Sequence, residues 1–286
     1  KRLTLEETLS AAKESGAPVI SITGGEPLLH PNIDKIVNTL IEEGFYIYLC
    51  TNGLLLEEKL KDLKLSRKLA LAVHLDGTKE VHDKFTNHEG TFETAFGAMK
   101  KAIAEGYRVT TNTTIFQGSD PDDLHRLFEK LTKAGVEGIM LAPGYSYDSV
   151  EGKDQFLQRK DSMEVFKKIL DPSKIKDFPL YNSSIYLDFL RGKVDLECTA
   201  WAAPTYTVLG WRKPCYVLAD EHVESVDEIL KDSLWEKYGV GNDPRCSSCM
   251  IHSGFDTASM IQSLRSKSGM VDLIKSAVPL GLKNKK

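Results

Sequence analysis

The stretch AAKESGAPVISITGGEPLLHP, residues 11–31, shows on a small scale the pattern that decides the fold. A helical segment ends at Gly16, a β-branched run follows over residues 18–23, and the polar loop GGEP comes directly after that run. Glycine closes a helix in the left-handed conformation at little cost, so Gly16 marks a helix end. The stretch therefore predicts a helix, a strand and a polar loop, in that order.

The same order recurs in three further stretches of the chain. A helical pattern runs through Gly44, Gly106 or Gly135 into the apolar runs of "EEGFYIYLC", "AEGYRVTTN" and "KAGVEGIML". With a strand over 69–74, the predicted strands are 18–23, 46–50, 69–74, 108–115 and 138–142. Strands that alternate with helices are typical of right-handed βαβ units, so we expect a parallel sheet.

Polar residues follow nearly every predicted strand. They are Gly24-Gly25-Glu26-Pro27, Thr51-Asn52-Gly53, Asp76-Gly77, Asn112-Thr113-Thr114 and Pro143-Gly144-Tyr145. Periodicity alone leaves a doubly wound sheet and a (β/α) barrel open, but a barrel gathers the ends of all its strands around one mouth. We therefore expect an α/β chain with a partial barrel. Because the chain opens on a helix, the first strand is expected upstream of Lys1.

The regular alternation fades near residue 150. We expect residues 1–150 to form the partial barrel and residues 151–286 to form a smaller domain, rich in aromatic residues and containing four cysteines. Trp201, Tyr206 and Trp211 are interpreted either as the core of this domain or as an apolar wall for a substrate.

Composition excludes several classes of protein. The formal net charge of −4 over 286 residues, with scattered lysines, argues against a nucleic-acid partner. No apolar run reaches the roughly 20 residues that a membrane span needs, so we expect a cytoplasmic protein. In that compartment, cysteines bind metals more often than they form disulfides.

The loop Gly24-Gly25-Glu26 is the first candidate binding site. Exposed glycine backbone lets a ligand approach closely, and a carboxylate accepts hydrogen bonds from an ammonium group, so the loop suits a zwitterionic small molecule. An ordinary tight turn is the alternative. Further along, His74 and Asp76 are two residues apart and point to one side of a strand, either towards a ligand or as a supporting pair. The other histidines, His30, His82, His88, His125 and His222, are predicted to lie in loops or on helix surfaces.

The C-terminal half carries a candidate metal site. Cys198, Cys215, Cys246 and Cys249 have the number needed for a four-thiolate site, and the spacing suits zinc or an iron–sulfur cluster. Buried thiols without a metal are the alternative, and His252 is read as a loop residue that could replace one ligand. Cys50 ends an apolar strand and is predicted to be a core thiol.

The motifs taken together resemble a known superfamily. "GGEP", "CTNG", "VHLDG" and "NTT", each at the end of a strand over residues 1–150, resemble the radical S-adenosylmethionine (SAM) enzymes, in which a GGE-type loop binds the methionyl amino group. The resemblance implies a partial (β/α)6 TIM-like barrel that lacks its first strand, with SAM and a 4Fe–4S cluster as cofactors. The residues it implies for SAM binding are Gly24, Gly25, Glu26, Pro27, Asn52, His74, Asp76, Asn112, Pro143 and Gly144.

A narrower resemblance covers nearly the whole chain. "SITGGEPLLHP", "YLCTNGLLL", "YLDFLRG", "GWRKPCY" and the Cys-x-x-Cys-Met-x-His stretch are similar to the adenosylhopene transferases of hopanoid biosynthesis. This implies a 5′-deoxyadenosyl radical that adds to the alkene of a hopene-type triterpene. It also implies an electron donor such as flavodoxin or ferredoxin, and peripheral membrane contact to obtain a lipid substrate. There are two alternatives. One is a radical SAM enzyme that abstracts hydrogen from another substrate, and the other is a cluster-free, zinc-binding interaction protein on a (β/α) scaffold.

The sequence departs from the family in two places. The signature Cys-x-x-x-Cys-x-x-Cys, which binds the 4Fe–4S cluster, is absent from the 286 residues and is expected upstream of Lys1, unless the chain is a degenerate relative. Near Asn87, hopanoid members carry a cysteine that could donate hydrogen to a product radical, and asparagine cannot do so.

Overall fold

A computed structural model describes residues 1–145, 156–230 and 233–264 of the chain. The chain divides into two compact units. The first contains Lys1–Thr113, Asp122–Met140 and Phe178–Leu180, and the second contains the rest of the described chain.

Helices and strands alternate through the first 143 residues. The helices are α1 Leu5–Ser15, α2 Ile33–Glu42, α3 Leu56–Lys59, α4 Lys79–Thr86, α5 Thr91–Ala104 and α6 Pro121–Ala134. The strands are β1 Val19–Ile22, β2 Tyr46–Thr51, β3 Leu69–His74, β4 Arg108–Ile115 and β5 Gly138–Pro143. These strands confirm the predicted pattern.

Local sequence signals begin and end these helices. A capping box opens α1, because the Thr4 side chain accepts from the backbone N–H of Glu7 while the Glu7 side chain accepts from that of Thr4. Gly16 ends α1 in the left-handed conformation with φ of 64°. The remaining predicted helix-ending glycines also have positive φ: Gly44, Gly106 and Gly135.

The five strands form one sheet in the order β1-β2-β3-β4-β5, a parallel half-barrel of the predicted α/β class. One face of this sheet is apolar, and Ile47, Leu49, Leu71, Val73 and Val109 are almost completely buried there. Helix α5 packs near β3 on this side, where Ala95 and Val73 both approach Gly53. Burial of this apolar face stabilises the sheet through the hydrophobic effect, and parallel sheets are normally covered by helices in this way.

The opposite face of the sheet carries mostly polar or small side chains. Strand register places Cys50 beside Ala72, Ala72 beside Thr110, and His74 beside Asn112. Residues paired across parallel strands point to one side of the sheet. We call this side the polar face, and it comprises Ser21, Tyr48, Cys50, Ala72, His74, Thr110 and Asn112.

The second unit has shorter elements. Its helices are α7 Arg159–Ile169, α8 Pro172–Ile175, α9 Ser184–Leu190, α10 Val226–Leu230 and α11 His252–Ser263. Three short strands, β6 Tyr206–Thr207, β7 Gly210–Lys213 and β8 Glu221–Val223, form an antiparallel sheet. Trp211 is buried in this sheet with Tyr206 against it at a centroid distance of 5.0 Å, whereas Trp201 is exposed. Trp211 thus belongs to the core.

A second cluster of aromatic rings holds α9 and α11 together. The rings of Phe189 and Phe255 stack with centroids 4.6 Å apart. The guanidinium of Arg159 lies 4.9 Å from the centre of the Phe189 ring and donates to the carbonyl of Cys249 at 3.1 Å. Tyr186 is fully buried and donates to the carbonyl of Met250 at 2.8 Å. These contacts fix the segment that precedes α11.

Two histidine predictions were wrong. His82 and His125, expected on helix surfaces or in loops, are buried. His82 lies on the inward side of α4, where its Nδ1 accepts from the backbone N–H of Asp76 at 3.2 Å. His125 lies on the inward side of α6 and stacks on Phe178 with a centroid distance of 6.3 Å.

Within the described residues, no helix is both long enough and apolar enough to cross a bilayer.

Candidate functional site

Glu26 lies in the loop after β1, and its carboxylate is held by three donors. Oε1 accepts from the backbone N–H of Leu28 at 2.9 Å and from the Thr51 hydroxyl at 2.8 Å. Oε2 accepts from the backbone N–H of Asn52 at 2.8 Å. A carboxylate has about four acceptor positions, so one remains on Oε2 among the described contacts. Glu26 thus ties its loop to the end of β2 and keeps an acceptor for a further donor.

The glycines before Glu26 leave the loop open. Gly24 has φ of 119°, and a Cβ placed on Gly24 or Gly25 would meet no atom within 4 Å. Both glycines are exposed. Pro27 is buried and begins a short 3₁₀ helix over Pro27–Leu29. The backbone of Gly24 and Gly25 is therefore accessible to a ligand, while Pro27 fixes the direction of the chain behind them.

Thr51 is a functional candidate that the sequence analysis missed. Its hydroxyl donates to Glu26 and accepts from the backbone N–H of Gly53 at 3.0 Å. Asn52 is exposed, and its side-chain oxygen accepts from the backbone N–H of Leu54 at 3.0 Å. The position of Thr51, directly before the Asn-Gly turn that ends β2, is the signal that could have identified it.

His74 and Asp76 form a pair at the end of β3. Nε2 of His74 lies 2.7 Å from both carboxylate oxygens of Asp76. Burial disfavours the charged imidazole, but the charge and hydrogen bond of Asp76 outweigh this effect and raise the pKa of His74. Asp76 is buried, whereas 41% of the His74 side chain is exposed. His74 is therefore the member of the pair that faces outward.

Asn112 lies beside His74 on the polar face. Its side-chain oxygen is buried and has no hydrogen-bond partner among the described residues. The backbone carbonyl of Asn112 accepts from Leu75 at 3.1 Å, and the adjacent Thr113 hydroxyl donates to the Leu75 carbonyl at 2.7 Å. These bonds fix the end of β4 beside β3, and they leave the Asn112 amide oxygen for a ligand that can donate to it.

Pro143 and Gly144, predicted to contact SAM, belong to the second unit and are buried. The backbone N–H of Gly144 donates to the carbonyl of Ile115 at 2.8 Å, and a Cβ on Gly144 would lie 2.9 Å from the Phe116 ring. Close packing against Phe116 thus explains this glycine without a ligand. The role of both residues in SAM binding stays a prediction.

The four predicted metal ligands line one pocket of the second unit: Cys198, Cys215, Cys246 and Cys249. Burial raises the pKa of Cys198 to about 11 and that of Cys249 to about 12. As placed, no three His, Cys, Asp or Glu side chains of the described residues are grouped to bind a metal ion. Cys50 is half-buried on the polar face, 3.4 Å from the Ser21 hydroxyl.

Comparison with known proteins identifies the family. The family model described as the radical SAM superfamily matches residues 1–131, and a domain of unknown function, DUF3463, matches residues 139–273. A GTP 3′,8-cyclase of Clostridium perfringens is 31% identical over 265 residues, covering 83% of this chain and 81% of the cyclase. The chain belongs to the radical SAM superfamily. Members of this superfamily use SAM and a 4Fe–4S cluster.

Two further proteins resemble this radical SAM chain at lower sequence identity. The subtilosin biosynthesis protein AlbA of Bacillus subtilis is 24% identical, covering 86% of this chain and 56% of AlbA. The crystal structure of Streptococcus suis SuiB bound to SAM superposes with a TM-score of 0.62 at 13% identity, covering 94% of this chain and 68% of SuiB. The SuiB likeness supports the radical SAM fold.

The residues of the first unit fit SAM but do not include the cysteine motif that binds the 4Fe–4S cluster in this family. The remaining acceptor on Glu26, the outward-facing imidazole of His74 and the unpaired oxygen of Asn112 suit the amino, carboxylate and hydroxyl groups of an amino-acid-bearing nucleoside. The open Gly24-Gly25 backbone allows such a ligand to approach. No Cys-x-x-x-Cys-x-x-Cys occurs in the 286 residues, so this chain supplies no ligand triad for the radical SAM cluster.

Proposed function

We propose that this radical SAM protein joins the 5′-deoxyadenosyl group of SAM to the alkene of a hopene-type polycyclic triterpene. The observation that carries the use of SAM is the Glu26 carboxylate, held by three internal hydrogen bonds with one acceptor left beside open glycine backbone. The triterpene is supported by the resemblance of "YLDFLRG" and "GWRKPCY" to the adenosylhopene transferases. Both stretches lie outside residues 1–131, the part that the general superfamily model matches.

Glu26 and its loop bind the methionyl ammonium in this proposal. The remaining position on Oε2 accepts one ammonium N–H, and the backbone carbonyls near Gly24 and Gly25 accept the others. The Thr51 hydroxyl and the Asn52 N–H keep the carboxylate oriented towards the ligand. A charge-assisted hydrogen bond of this kind contributes about 1.5–3 kcal/mol to binding.

His74, not Asp76, contacts the anionic or ribose part of SAM. Both oxygens of Asp76 are directed at His74, and Asp76 is buried. The raised pKa of His74 favours the imidazolium, which can donate to a carboxylate. Asn112, its neighbour across the strands, accepts from a ribose hydroxyl through its buried oxygen. Asp76 is accordingly a positioning residue for His74.

When bound and reduced by one electron, SAM supplies a 5′-deoxyadenosyl radical, with methionine as the other product. Addition of this group to the alkene would form one carbon–carbon bond and would need one further electron and a proton to balance, while Glu26 and the Gly24-Gly25 loop would hold the SAM that supplies it. A flavodoxin or ferredoxin type of protein would supply the electrons. A triterpene lies in membranes, so peripheral membrane contact belongs to the same proposal.

A nucleotide substrate is the second candidate. The 31% identity to a GTP 3′,8-cyclase over most of both chains favours it. On this alternative, hydrogen abstraction would release 5′-deoxyadenosine as a separate product. The two candidates therefore differ in whether the adenosyl group is joined to the substrate or released.

The test is a product assay on a form of the protein that carries the Cys-x-x-x-Cys-x-x-Cys motif, purified anaerobically and loaded with its 4Fe–4S cluster, with SAM and a chemical reductant. Hopene in detergent is supplied in one arm and GTP in the other. We expect an adenosyl–triterpene adduct by mass spectrometry in the first arm and no cyclised nucleotide in the second. A cyclised nucleotide without any adduct would replace the triterpene by GTP, and no SAM cleavage in either arm would overturn both candidates.

A further inference from the structure

His30 ends the short turn that follows the Glu26 loop, and both nitrogens of its ring make hydrogen bonds. Nε2 lies 3.0 Å from the backbone carbonyl of Leu3, 27 residues earlier in the sequence. Nδ1 lies 3.2 Å from the backbone nitrogen of Asn32. His30 therefore connects the loop after β1 to the segment that leads into α1.

The partners of the His30 ring fix its tautomer. A backbone N–H can only donate, so the nitrogen that faces Asn32 carries no proton. A backbone carbonyl can only accept, so the nitrogen that faces Leu3 carries one. The neutral imidazole with its proton on Nε2 satisfies both bonds at once. Nδ1 thus holds the local turn, and Nε2 makes the long-range connection.

A single 3₁₀ turn joins His30 to Glu26. The backbone N–H of Leu29 donates to the Glu26 carbonyl at 3.2 Å, and that of His30 donates to the Pro27 carbonyl at 2.9 Å. Leu28, in the middle of the turn, is buried and donates its backbone N–H to the Glu26 carboxylate at 2.9 Å. Because the turn is short and internally bonded, a displacement of His30 would also displace the backbone of Glu26.

The other partner in this connection, Leu3, belongs to a well-packed part of the first unit. Leu3 directly precedes Thr4, the N-cap of α1, whose capping box fixes the start of the helix. Ala11 and Ala12 are buried on one side of α1, and α1 packs against α2. The position of the Leu3 carbonyl is thus set by α1 and not by the Glu26 loop.

We propose that His30 is a positioning residue for SAM binding, which keeps the Glu26 carboxylate in place through its Nε2–H bond to Leu3. The turn has two anchors, because Thr51 and Asn52 bind Glu26 at its start and Leu3 binds His30 at its end. A charge-assisted hydrogen bond depends on its geometry, so a displaced turn would weaken the contact between Glu26 and an ammonium group. This inference rests on the proposed role of Glu26 and extends it.

Two replacements of His30 separate the tasks of its two nitrogens. Glutamine places an amide NH₂ near the position of Nε2 and can still donate to Leu3, whereas asparagine places its amide oxygen near the position of Nδ1 and retains only the bond from Asn32. We expect His30→Asn to weaken SAM binding by the 286-residue chain about 2- to 10-fold in equilibrium dialysis. His30→Gln should bind SAM as the parent does, and so should His88→Asn, the matched control at an exposed histidine.

Glu26→Gln in the same assay distinguishes this inference from the proposed role of Glu26. If Glu26→Gln weakens SAM binding while both His30 variants bind as the parent does, Glu26 keeps its role and the role of His30 is overturned. An equal loss in His30→Asn and His30→Gln would also overturn it, because the bond to Leu3 would then not be the cause. Unchanged binding in Glu26→Gln would instead overturn the proposed role of Glu26 itself.

A second measurement follows the position of Glu26 without a ligand. The backbone N–H of Asn52 donates to the Glu26 carboxylate, so its hydrogen exchange, measured by NMR, reports whether that bond is formed. We expect this N–H to exchange roughly threefold faster or more in His30→Asn, and at the parent rate in His30→Gln. Equal rates in all three proteins would contradict the positioning role. Faster exchange throughout α5 as well would indicate a general loss of stability and would also contradict it.

Discussion

The backbone N–H of Asn52 donates to the Glu26 carboxylate at 2.8 Å, across 26 residues of sequence. This bond joins the loop after β1 to the end of β2. The Thr51 hydroxyl reinforces it from the same strand at 2.8 Å. The acid proposed to bind the ligand is therefore also a connection between two neighbouring strand ends.

Glu26→Gln should weaken SAM binding roughly 10- to 100-fold, since it removes the charge that faces the ammonium. The variant should also be less stable, because one side of the amide would place an NH₂ group against the N–H of Asn52 or the donors at Oε1. Equilibrium dialysis with labelled SAM measures the first effect. Glu57→Gln, at an exposed glutamate paired with Lys101, is the control and should bind SAM as the parent does. Equal affinities for all three proteins would argue against the assignment of Glu26.

Asp76→Asn should lower the pKa of His74, because it removes the charge that outweighs burial. In the parent protein the raised pKa means that protonated His74 stabilises the fold. That contribution is complete below the ordinary value of about 6.5 and is lost as the pH rises through the folded pKa. An NMR titration of the His74 ring should show a midpoint above 6.5 in the parent and a lower one in the variant. An unchanged midpoint would mean that Asp76 does not set the charge of His74.

Asp83→Asn should destabilise the segment between α4 and α5. The Asp83 carboxylate accepts from the backbone N–H groups of Gly90 and Phe92, both at 2.8 Å, and these bonds lower its pKa to about 2. Its stabilising effect is therefore present above the ordinary pKa of about 3.8 and disappears as the pH falls through about 2. The variant should unfold at a lower temperature than the parent at pH 7, and the difference between their unfolding temperatures should be smaller at pH 3. An equally large difference in unfolding temperature at pH 3 would mean that the Asp83 charge is not what stabilises this segment.

Gly53→Ala should destabilise the first unit by about 2–4 kcal/mol, from overpacking and backbone strain together. Gly53 has φ of 80°, and a Cβ there would lie 2.9 Å from the Cβ of Ala95. Gly97→Ala is the matched control, because Gly97 lies within α5 with no atom within 4 Å of an added Cβ. The control should gain about 0.5–1 kcal/mol from helix propensity. Chemical denaturation measures both, and equal effects would show that the packing at Gly53 is not tight.

The strands of the first unit could be predicted from sequence because their signals are local. The prediction of 108–115 matches β4 Arg108–Ile115, and that of 138–142 falls one residue short of β5. Apolar runs bounded by a glycine and a polar loop specify their own limits, and the helix-ending glycines act within one turn.

The contacts of the site could be predicted less well, because they depend on distant partners. The predicted role of Glu26 did not include its bonds to Thr51 and Asn52, which lie on another strand. The burial of His82 was missed because α4 is short and mostly polar. Such a helix has too few apolar residues for their spacing to indicate which side faces the core. The number of cysteines indicated a common site, but the pocket that the four cysteines line is formed by segments that are far apart in the sequence.

The three hydrogen bonds of Glu26 also affect the entropy of ligand binding. A glutamate side chain loses up to about 2 kcal/mol of rotamer freedom when it becomes fixed. In this protein that loss occurs as the chain folds, before any ligand arrives. The carboxylate is thus preorganised, and a cation that reaches the loop gains the full strength of the contact without having to immobilise the acid.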